Sequence, residues 1–492
     1  MPDSAPWPAP EAAGLRSGAV LNFLRRIQDS GLELHGLNLW RYGRPVLAGH
    51  WWPYHAGTLH QLNSVSKSFV SAAAGLCIED GHLKLETRLL ELFPEYAAVA
   101  APGVEALTLR HLLTMSSGHA APVRSRLKFT PGPPWTETYL REPLAHPPGT
   151  HFLYDSADTF MLSAAVQRVT GRRVLDDLRP RLLAPLGVGE ATWITSPEGV
   201  DAGGWGLSLT TADLARFGEL LRCGGVWQGQ RLLPAEWLAQ ATRAQIQTGH
   251  SDPDWACGYG YQFWPCRHGA FRADGMYGQF VLVLPEQQAV LGITAGTHRM
   301  QDILNAVWDE LLPGFQEGVL ADDAEGVAAL RDALAALRLP LPFRGQSPAE
   351  NERDFFSRTF ALPPETRFFA DDQVVPDLTP SWTHFTVSCG DPAILTFLGP
   401  AGRQTLHAHP KTWEVQLTDL FADQRAVEVA AHAAPRPDGA FQFTLRLLPT
   451  LREGRVVVRP GEAAELYLPT PLEQASVPLI APEIFPRKEL HD

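Results

Sequence analysis

The order of predicted helices and strands is the feature that most restricts the fold of this chain. An amphipathic helix over residues 11–30 precedes two strand candidates at 37–42 and 45–51. A mostly helical stretch occupies residues 82–240, and four further strand candidates follow between 258 and 294. This order predicts a mixed α/β (α+β) fold, in which helices flank an antiparallel sheet and a large helical insertion separates its strands.

The 492 residues exceed what one compact core usually holds, so more than one domain is expected. After Pro313 the pattern changes to an Ala- and Leu-rich helix, then to short strand candidates separated by Gly, Pro and Asp. We therefore predict a first domain over residues 1–316, a linker with a helix over 317–349, and a small all-β domain of sandwich or barrel type over 350–492.

Ser64-Val65-Ser66-Lys67 places a serine and a lysine three residues apart at the start of a predicted helix, with Asn63 or Ser64 at the N-cap. Residues at i and i+3 share a helix face, so the Lys67 ammonium can reach the Ser64 hydroxyl. A lysine in hydrogen-bond contact activates a serine, which is otherwise a weak nucleophile. The pair thus predicts acyl-enzyme chemistry.

A simpler interpretation is that Ser64 only caps a helix of the hydrophobic core. Ser-x-x-Lys also arises by chance, and the chain contains a second copy, Ser125-Arg126-Leu127-Lys128. That copy lies among prolines without apolar periodicity, which is typical of a loop.

Tyr154-Asp155-Ser156 follows Pro147-Pro148-Gly149 and precedes a predicted helix, so Tyr154 is expected on a loop. A tyrosine beside a Ser/Lys pair can act as a general base if the lysine favours its phenolate. The alternative is an ordinary half-buried tyrosine with a hydrogen-bonded hydroxyl.

Composition and charge exclude several classes of protein. The net charge of −13 and the scattered arginines argue against nucleic-acid binding, and no run of about 18 apolar residues predicts a membrane span. The first residues resemble no secretory signal, and the five cysteines are scattered, which together predict a cytoplasmic protein. His407 and His409 have no Cys or acidic partner nearby in sequence, so neither a metal site nor a cofactor is predicted.

Taken together, the motifs resemble those of the β-lactamase-related serine hydrolases. This family includes class C β-lactamases, penicillin-binding-protein-like D-alanyl-D-alanine carboxypeptidases, and esterase, amidase and D-aminopeptidase relatives. The resemblance covers residues 10 to 313. Five segments match the family's motifs. In chain order they contain Ser64-Val65-Ser66-Lys67, His111-Leu112-Leu113-Thr114-Met115-Ser116-Ser117-Gly118, Tyr154-Asp155-Ser156, Leu209-Thr210-Thr211 and Ala273-Asp274-Gly275.

The resemblance implies a role for each motif. Ser64 would be the nucleophile, Lys67 and Tyr154 would move its proton, and the backbone N–H groups of Ser64 and Met276 would form the oxyanion hole. A small-molecule ester, amide or peptide would be the substrate.

Two positions on the substrate-binding side depart from the family pattern. Ser156 replaces the usual asparagine, and Ala273 replaces the Lys or His that in relatives helps to hold a substrate carboxylate. Asp274 adds negative charge if it faces the site, whereas Gly275 is retained and allows close backbone approach. These departures predict that esters and neutral amides are better substrates than β-lactams and peptides that end in D-Ala-D-Ala.

The sequence therefore predicts a serine hydrolase of the esterase or amidase type. A true β-lactamase or D-alanyl-D-alanine-type peptidase is one alternative. A catalytically inactive binding or sensor homologue is another, which the changes at Ser156 and Ala273 motivate.

Overall fold

The computed structural model describes residues 9–343, 358–362, 382–400, 402–418, 426–459, 463–471, 479–481 and 483–485. These residues form two compact units. The first comprises the described residues up to His50 together with Leu59–Leu337, and the second comprises Trp51–Thr58 together with the described residues from Arg338 onward. The predicted domain boundaries at 316 and 350 stay a prediction, because residues 1–8 and parts of the linker and C-terminal domain lie outside the described residues.

The first unit combines helices with short and long strands. Its described α-helices are α1 (Ser17–Asp29), α2 (Ser66–Glu79), α3 (Leu89–Leu92), α4 (Leu109–Leu113), α5 (Trp135–Leu140), α6 (Ser156–Thr170), α7 (Val174–Leu178), α8 (Thr211–Arg222), α9 (Ala235–Ala241), α10 (Met300–Ala306) and α11 (Ala324–Ala335). Its described strands are β1 (Leu34–Arg41), β2 (Arg44–His50), β3 (His60–Gln61), β4 (Thr192–Trp193), β5 (Leu207–Leu209), β6 (Val226–Trp227), β7 (Gln230–Arg231), β8 (Trp264–Pro265), β9 (Phe271–Gly275), β10 (Gln279–Leu284) and β11 (Ala289–Ala295).

Six of these strands form the main sheet, in the order β2-β1-β11-β10-β9-β8, and the neighbouring strands are antiparallel. Every residue of β10 and β11 is buried, so these strands form the centre of the core. Helix α8 packs closely on them. Its Gly218 leaves no room for a side chain, since a Cβ there would lie 2.3 Å from a Val290 side-chain atom. The helical insertion runs from α2 to α9 between β2 and β8. The predicted α/β class and layout are confirmed.

A small sheet leads the chain to Ser64. Strands β3, β5 and β4 form it, with His60 opposite Leu209 and Gln61 opposite Ser208. The Leu62 N–H continues the pairing by donating to the Leu207 carbonyl at 2.8 Å. The chain therefore reaches Ser64 from a hydrogen-bonded strand.

Two local predictions differ from the structure. The predicted helix over 11–30 is divided at Gly14, whose left-handed backbone ends a 3₁₀ turn before α1 begins at Ser17. The helix after Ser64 begins with a 3₁₀ turn over Asn63–Val65, so neither Asn63 nor Ser64 is the N-cap of α2.

The described part of the second unit is rich in strands, which confirms the predicted all-β character of this region. One antiparallel sheet has the order β15-β14-β13-β12-β22, and the other has the order β16-β17-β18-β19-β20-β21. These strands are β12 (Arg358–Ala361), β13 (His384–Ser388), β14 (Ala393–Gly399), β15 (Gly402–Ala408), β16 (Glu414–Thr418), β17 (Val427–Pro435), β18 (Phe441–Leu447), β19 (Arg452–Val458), β20 (Ala464–Pro471), β21 (Leu479–Ala481) and β22 (Glu483–Phe485).

Within the described ranges, no helix has the length and apolar character that crossing a lipid bilayer requires.

Candidate active site

Ser64 lies half-exposed in the 3₁₀ turn that precedes α2. The residue before it, Asn63, adopts a left-handed backbone with φ of 49°. The Asn63 side-chain amide donates to the Met276 carbonyl at 2.9 Å. The turn that carries Ser64 is therefore tied to the turn that follows β9.

Lys67 is buried, with 1% of its surface exposed, and its Nζ contacts Ser64 directly. Nζ donates to Ser64 Oγ at 3.0 Å, to Ser156 Oγ at 2.8 Å and to the Gly204 carbonyl at 2.7 Å. Burial, partly offset by the negative charge of Asp155, lowers the pKa of Lys67 to about 7. A substantial fraction of this lysine is therefore neutral at neutral pH and able to accept a proton.

Tyr154 is a second neighbour of the Ser64 hydroxyl. Its own hydroxyl hydrogen-bonds with Ser64, and Lys67 Nζ lies 4.8 Å from the centre of its ring. Burial raises the pKa of Tyr154 well above its usual value, and the hydrogen bond to Ser64 opposes this only in part. The phenol therefore keeps its proton at neutral pH, which suits a proton donor better than a general base.

An aromatic wall adjoins Tyr154. The ring of Tyr154 lies 5.8 Å from that of Trp264, measured between centroids. The wall consists of buried Met115, Tyr259 and Trp264, with half-buried Phe152, Tyr154, Ile246 and Trp255 packed against them. The ring of Tyr154 therefore has mainly aromatic and apolar neighbours.

The end of β9 approaches the Ser64 turn through backbone. A Cβ at Gly275 would lie 2.2 Å from the Leu62 carbonyl oxygen, so only glycine fits there. The Met276 side chain is 49% exposed, and its carbonyl accepts hydrogen bonds from Asn63 and from Gln279 Nε2 at 3.1 Å. These bonds hold the turn that carries the Met276 N–H.

Ala273 and Asp274 differ in their surroundings. Ala273 is fully buried and pairs with Val281 of β10. The Asp274 carboxylate accepts from Arg272 Nε at 2.7 Å, and both side chains are buried. The negative charge of Asp274 is therefore paired with a cation on its own strand.

Four contributors to the site were not assigned from sequence: Gly204, Trp205, Asp155 and Arg124. Gly204 lies so close to α6 that a Cβ would be 2.6 Å from the Ser156 carbonyl oxygen. The sequence carried a signal for the close backbone approach at Gly204, because three glycines surround Trp205 in the segment Gly203-Gly204-Trp205-Gly206 immediately before β5.

Asp155 joins two loops at the site. It caps α6 by accepting from the Ala157 N–H at 2.9 Å. It also accepts from the N–H groups of Val123 at 2.6 Å and Arg124 at 3.2 Å. One buried carboxylate thus holds the segment of Arg124 beside Tyr154 and Ser156.

The chain belongs to the β-lactamase family: the family model described as Beta-lactamase matches residues 27–306. It is similar to the 6-aminohexanoate-dimer hydrolase of Paenarthrobacter ureafaciens, with 27% identity over 58% of this chain and 77% of that protein. It is also similar to the lovastatin esterase of Penicillium rubens, with 28% identity over 30% of this chain and 42% of the esterase.

Among solved structures, EstCE1, described as a hydrolase with promiscuous acyltransferase activity, has a TM-score of 0.50 and 18% identity, covering 59% of this chain and 98% of its own. This likeness concerns the fold. The family and these relatives identify the chain as a hydrolase of the β-lactamase fold.

Proposed function

We propose that this protein is a serine hydrolase that cleaves small esters or amides through an acyl-enzyme on Ser64. The observation that carries the proposal is the 3.0 Å contact between Lys67 Nζ and Ser64 Oγ, made by a lysine whose pKa lies near 7. A neutral amine at this distance can accept the hydroxyl proton as Ser64 attacks a carbonyl carbon.

The proton and the charges balance at each step. Lys67 takes the proton of Ser64 while the serine oxygen bonds to the carbonyl carbon. The carbonyl oxygen becomes an oxyanion, which the N–H groups of Ser64 and Met276 stabilise, and each such donor is typically worth about 2.7–4 kcal/mol. Tyr154 donates its proton to the departing alkoxide or amine and regains one from Lys67. Water then hydrolyses the acyl-enzyme.

The residues on the substrate-binding side favour esters and amides over β-lactams as substrates. Ala273 offers no cation for a carboxylate, and the relatives include, beside a β-lactamase, a lovastatin esterase and a 6-aminohexanoate-dimer hydrolase by name. Ser156 supplies a hydroxyl to Lys67, so the asparagine that it replaces is not needed to hold that lysine.

The test compares wild type, Ser64→Ala and a matched control on p-nitrophenyl esters, peptide amides and a chromogenic β-lactam. Ser125→Ala is the control, because Ser125 belongs to the second Ser-x-x-Lys copy and is exposed. We expect Ser64→Ala to lose hydrolysis and labelling by a fluorophosphonate, while Ser125→Ala retains both. Undiminished ester hydrolysis by Ser64→Ala would remove the proposal.

Two other results would favour the alternatives. Faster turnover of the β-lactam than of the esters would indicate a β-lactamase. Neither hydrolysis nor labelling across the panel by folded wild-type protein would indicate a binding or sensor role.

A further inference from the structure

The side chain of Asn63, the residue immediately before Ser64, bridges two turns of the site. Its Nδ2 donates to the Met276 carbonyl at 2.9 Å. One end of this bridge therefore adjoins Ser64 in sequence, and the other end is Met276. These are the two residues whose N–H groups have to converge on one oxygen atom if they form the expected oxyanion hole. A single hydrogen bond thus links the segments that carry both donors.

The backbone of Asn63 is held within the turn that presents Ser64. Its φ of 49° lies in the left-handed region, which glycine and asparagine adopt more readily than most other residues. The Asn63 carbonyl accepts from Ser66 Oγ at 2.7 Å, and the Val65 N–H donates to the Leu62 carbonyl at 3.1 Å. The Asn63 amide therefore extends toward Met276 from a hydrogen-bonded turn.

The Met276 carbonyl is also held by Gln279, whose side chain is fully buried. Gln279 Nε2 donates to the Met276 carbonyl at 3.1 Å and to the Ala295 carbonyl at 2.7 Å. The Ala295 N–H donates in return to Gln279 Oε1 at 3.3 Å. Gln279 thus ties the Met276 turn to β11, whereas Asn63 ties the same carbonyl to the turn of the nucleophile.

The two turns meet through backbone at Gly275. A Cβ at this position would lie 2.2 Å from the Leu62 carbonyl oxygen and 3.2 Å from the Val65 nitrogen. This packing limits how closely the turns can approach each other, but it does not limit how far they can separate. The hydrogen bond from Asn63 to Met276 supplies that second limit, because it lengthens and weakens as the turns move apart.

We propose that Asn63 is a positioning residue for the oxyanion hole, and that its amide sets the separation between the Ser64 and Met276 N–H groups. This inference rests on the proposed function, because it requires an oxyanion to form when Ser64 attacks a carbonyl carbon. The Asn63 side chain acts through two backbone donors and does not itself contact the oxyanion. Since the oxyanion develops only in the transition state, loss of the Asn63 amide lowers kcat more than it raises KM.

The experiment compares p-nitrophenyl butyrate with the thionoester in which sulfur replaces its carbonyl oxygen. Sulfur accepts hydrogen bonds weakly, so a well-placed oxyanion hole favours the oxygen ester. We expect Asn63→Gly, which keeps the left-handed backbone and removes the amide, to lower kcat for the oxygen ester about 10-fold and for the thionoester much less. Loss of a whole donor typically costs about 10²–10³-fold, and the smaller effect is expected because Gln279 still holds the Met276 carbonyl.

Asn63→Asp tests the donor with a side chain of nearly the same size. A carboxylate cannot donate to the Met276 carbonyl, so we expect a loss at least as large as that of Asn63→Gly, again greater for the oxygen ester. Gln228→Gly is the matched control. Gln228 is exposed in the turn between β6 and β7, and its φ is also 49°. This variant should keep the wild-type rates on both esters.

An unchanged kcat for the oxygen ester in folded Asn63→Gly and Asn63→Asp proteins would overturn the inference while leaving the proposed function intact. Equal losses on the oxygen ester and the thionoester would also overturn it, because they would mean that the substitution disturbs the nucleophile or the fold rather than the oxyanion hole. If Ser64→Ala hydrolyses the oxygen ester as wild type does, the proposed function itself fails.

Discussion

Asp274 and Arg272 form a buried ion pair on one strand, with Arg272 Nε 2.7 Å from the Asp274 carboxylate. Arg272 also donates to Cys266 Sγ and to the Asp254 carbonyl, each at 3.0 Å, and covers the Trp255 ring at 4.3 Å. The pair therefore contacts the aromatic wall through Trp255, and the acidic residue beside Gly275 brings no unpaired charge to the site.

Removing Arg272 should destabilise the protein more than removing both partners. We expect Arg272→Met to cost about 3–5 kcal/mol, because it leaves a buried carboxylate without its cation, and Arg272→Met/Asp274→Leu to recover most of this loss. Urea midpoints provide the measurement. Arg141→Met, which breaks the more exposed Arg141–Glu137 pair, should cost about 0.3–0.5 kcal/mol. A double variant no more stable than the single one would contradict this account.

The rate should depend on pH through Lys67. Its pKa falls from 10.5 in a model peptide to about 7 here, so the neutral amine predominates above pH 7. We expect kcat/KM for a neutral ester to rise with pH through about 7 and then level off, as measured from pH–rate profiles. Lys67→Arg should lose both the activity and this limb, since arginine stays protonated. A wild-type rate that is flat between pH 5 and 9 would argue against Lys67 as the base.

Tyr154→Phe should distinguish substrates by their leaving group. An alkyl ester or amide needs a proton on departure, so its kcat should fall about 10²- to 10⁴-fold. p-Nitrophenolate departs without one, so its ester should lose much less. The ring stays against Trp264, and the fold should be kept. Tyr96→Phe, outside the site, is the control. Equal losses on both substrates would mean that Tyr154 does not protonate the leaving group.

Placing at Ala273 the cation that relatives carry there should not create a β-lactamase. Ala273 is fully buried, so Ala273→Lys places an ammonium in the core at a cost of several kcal/mol. We expect a lower urea midpoint and no gain in β-lactam hydrolysis. Met276→Lys, at an exposed side chain three residues on, should leave the midpoint close to that of wild type. A stable Ala273→Lys protein that hydrolyses β-lactams faster would refute the prediction.

Sequence reasoning predicted the sheet and the Ser64–Lys67 pair because both depend on local spacing. Short apolar runs between turn residues, such as β10, and the i, i+3 relation of Ser64 to Lys67 need few neighbours to be recognised. The raised pKa of Tyr154 and the ion pair of Asp274 were not predicted. Burial, which raises the pKa of Tyr154, and the partner of Asp274 depend on side-chain directions in the folded molecule.

Arg124 escaped sequence analysis for a related reason. Its closeness to Lys67 arises through Asp155 and Trp205, which lie 31 and 81 residues further along the chain. Contacts between residues so far apart in sequence cannot be predicted from the residue spacing within one segment.

The assignment of Trp51–Thr58 to the second unit determines how this protein can be divided into parts. The segment belongs to the second unit, although the chain on both sides of it belongs to the first. A gene truncated after Leu337 would thus encode the first unit together with eight residues that belong to the missing second unit, and the last of these lies six positions before Ser64. The two units cannot be exchanged between homologues by a single crossover, because the chain changes unit after residues 50, 58 and 337, and a chimera therefore requires three junctions.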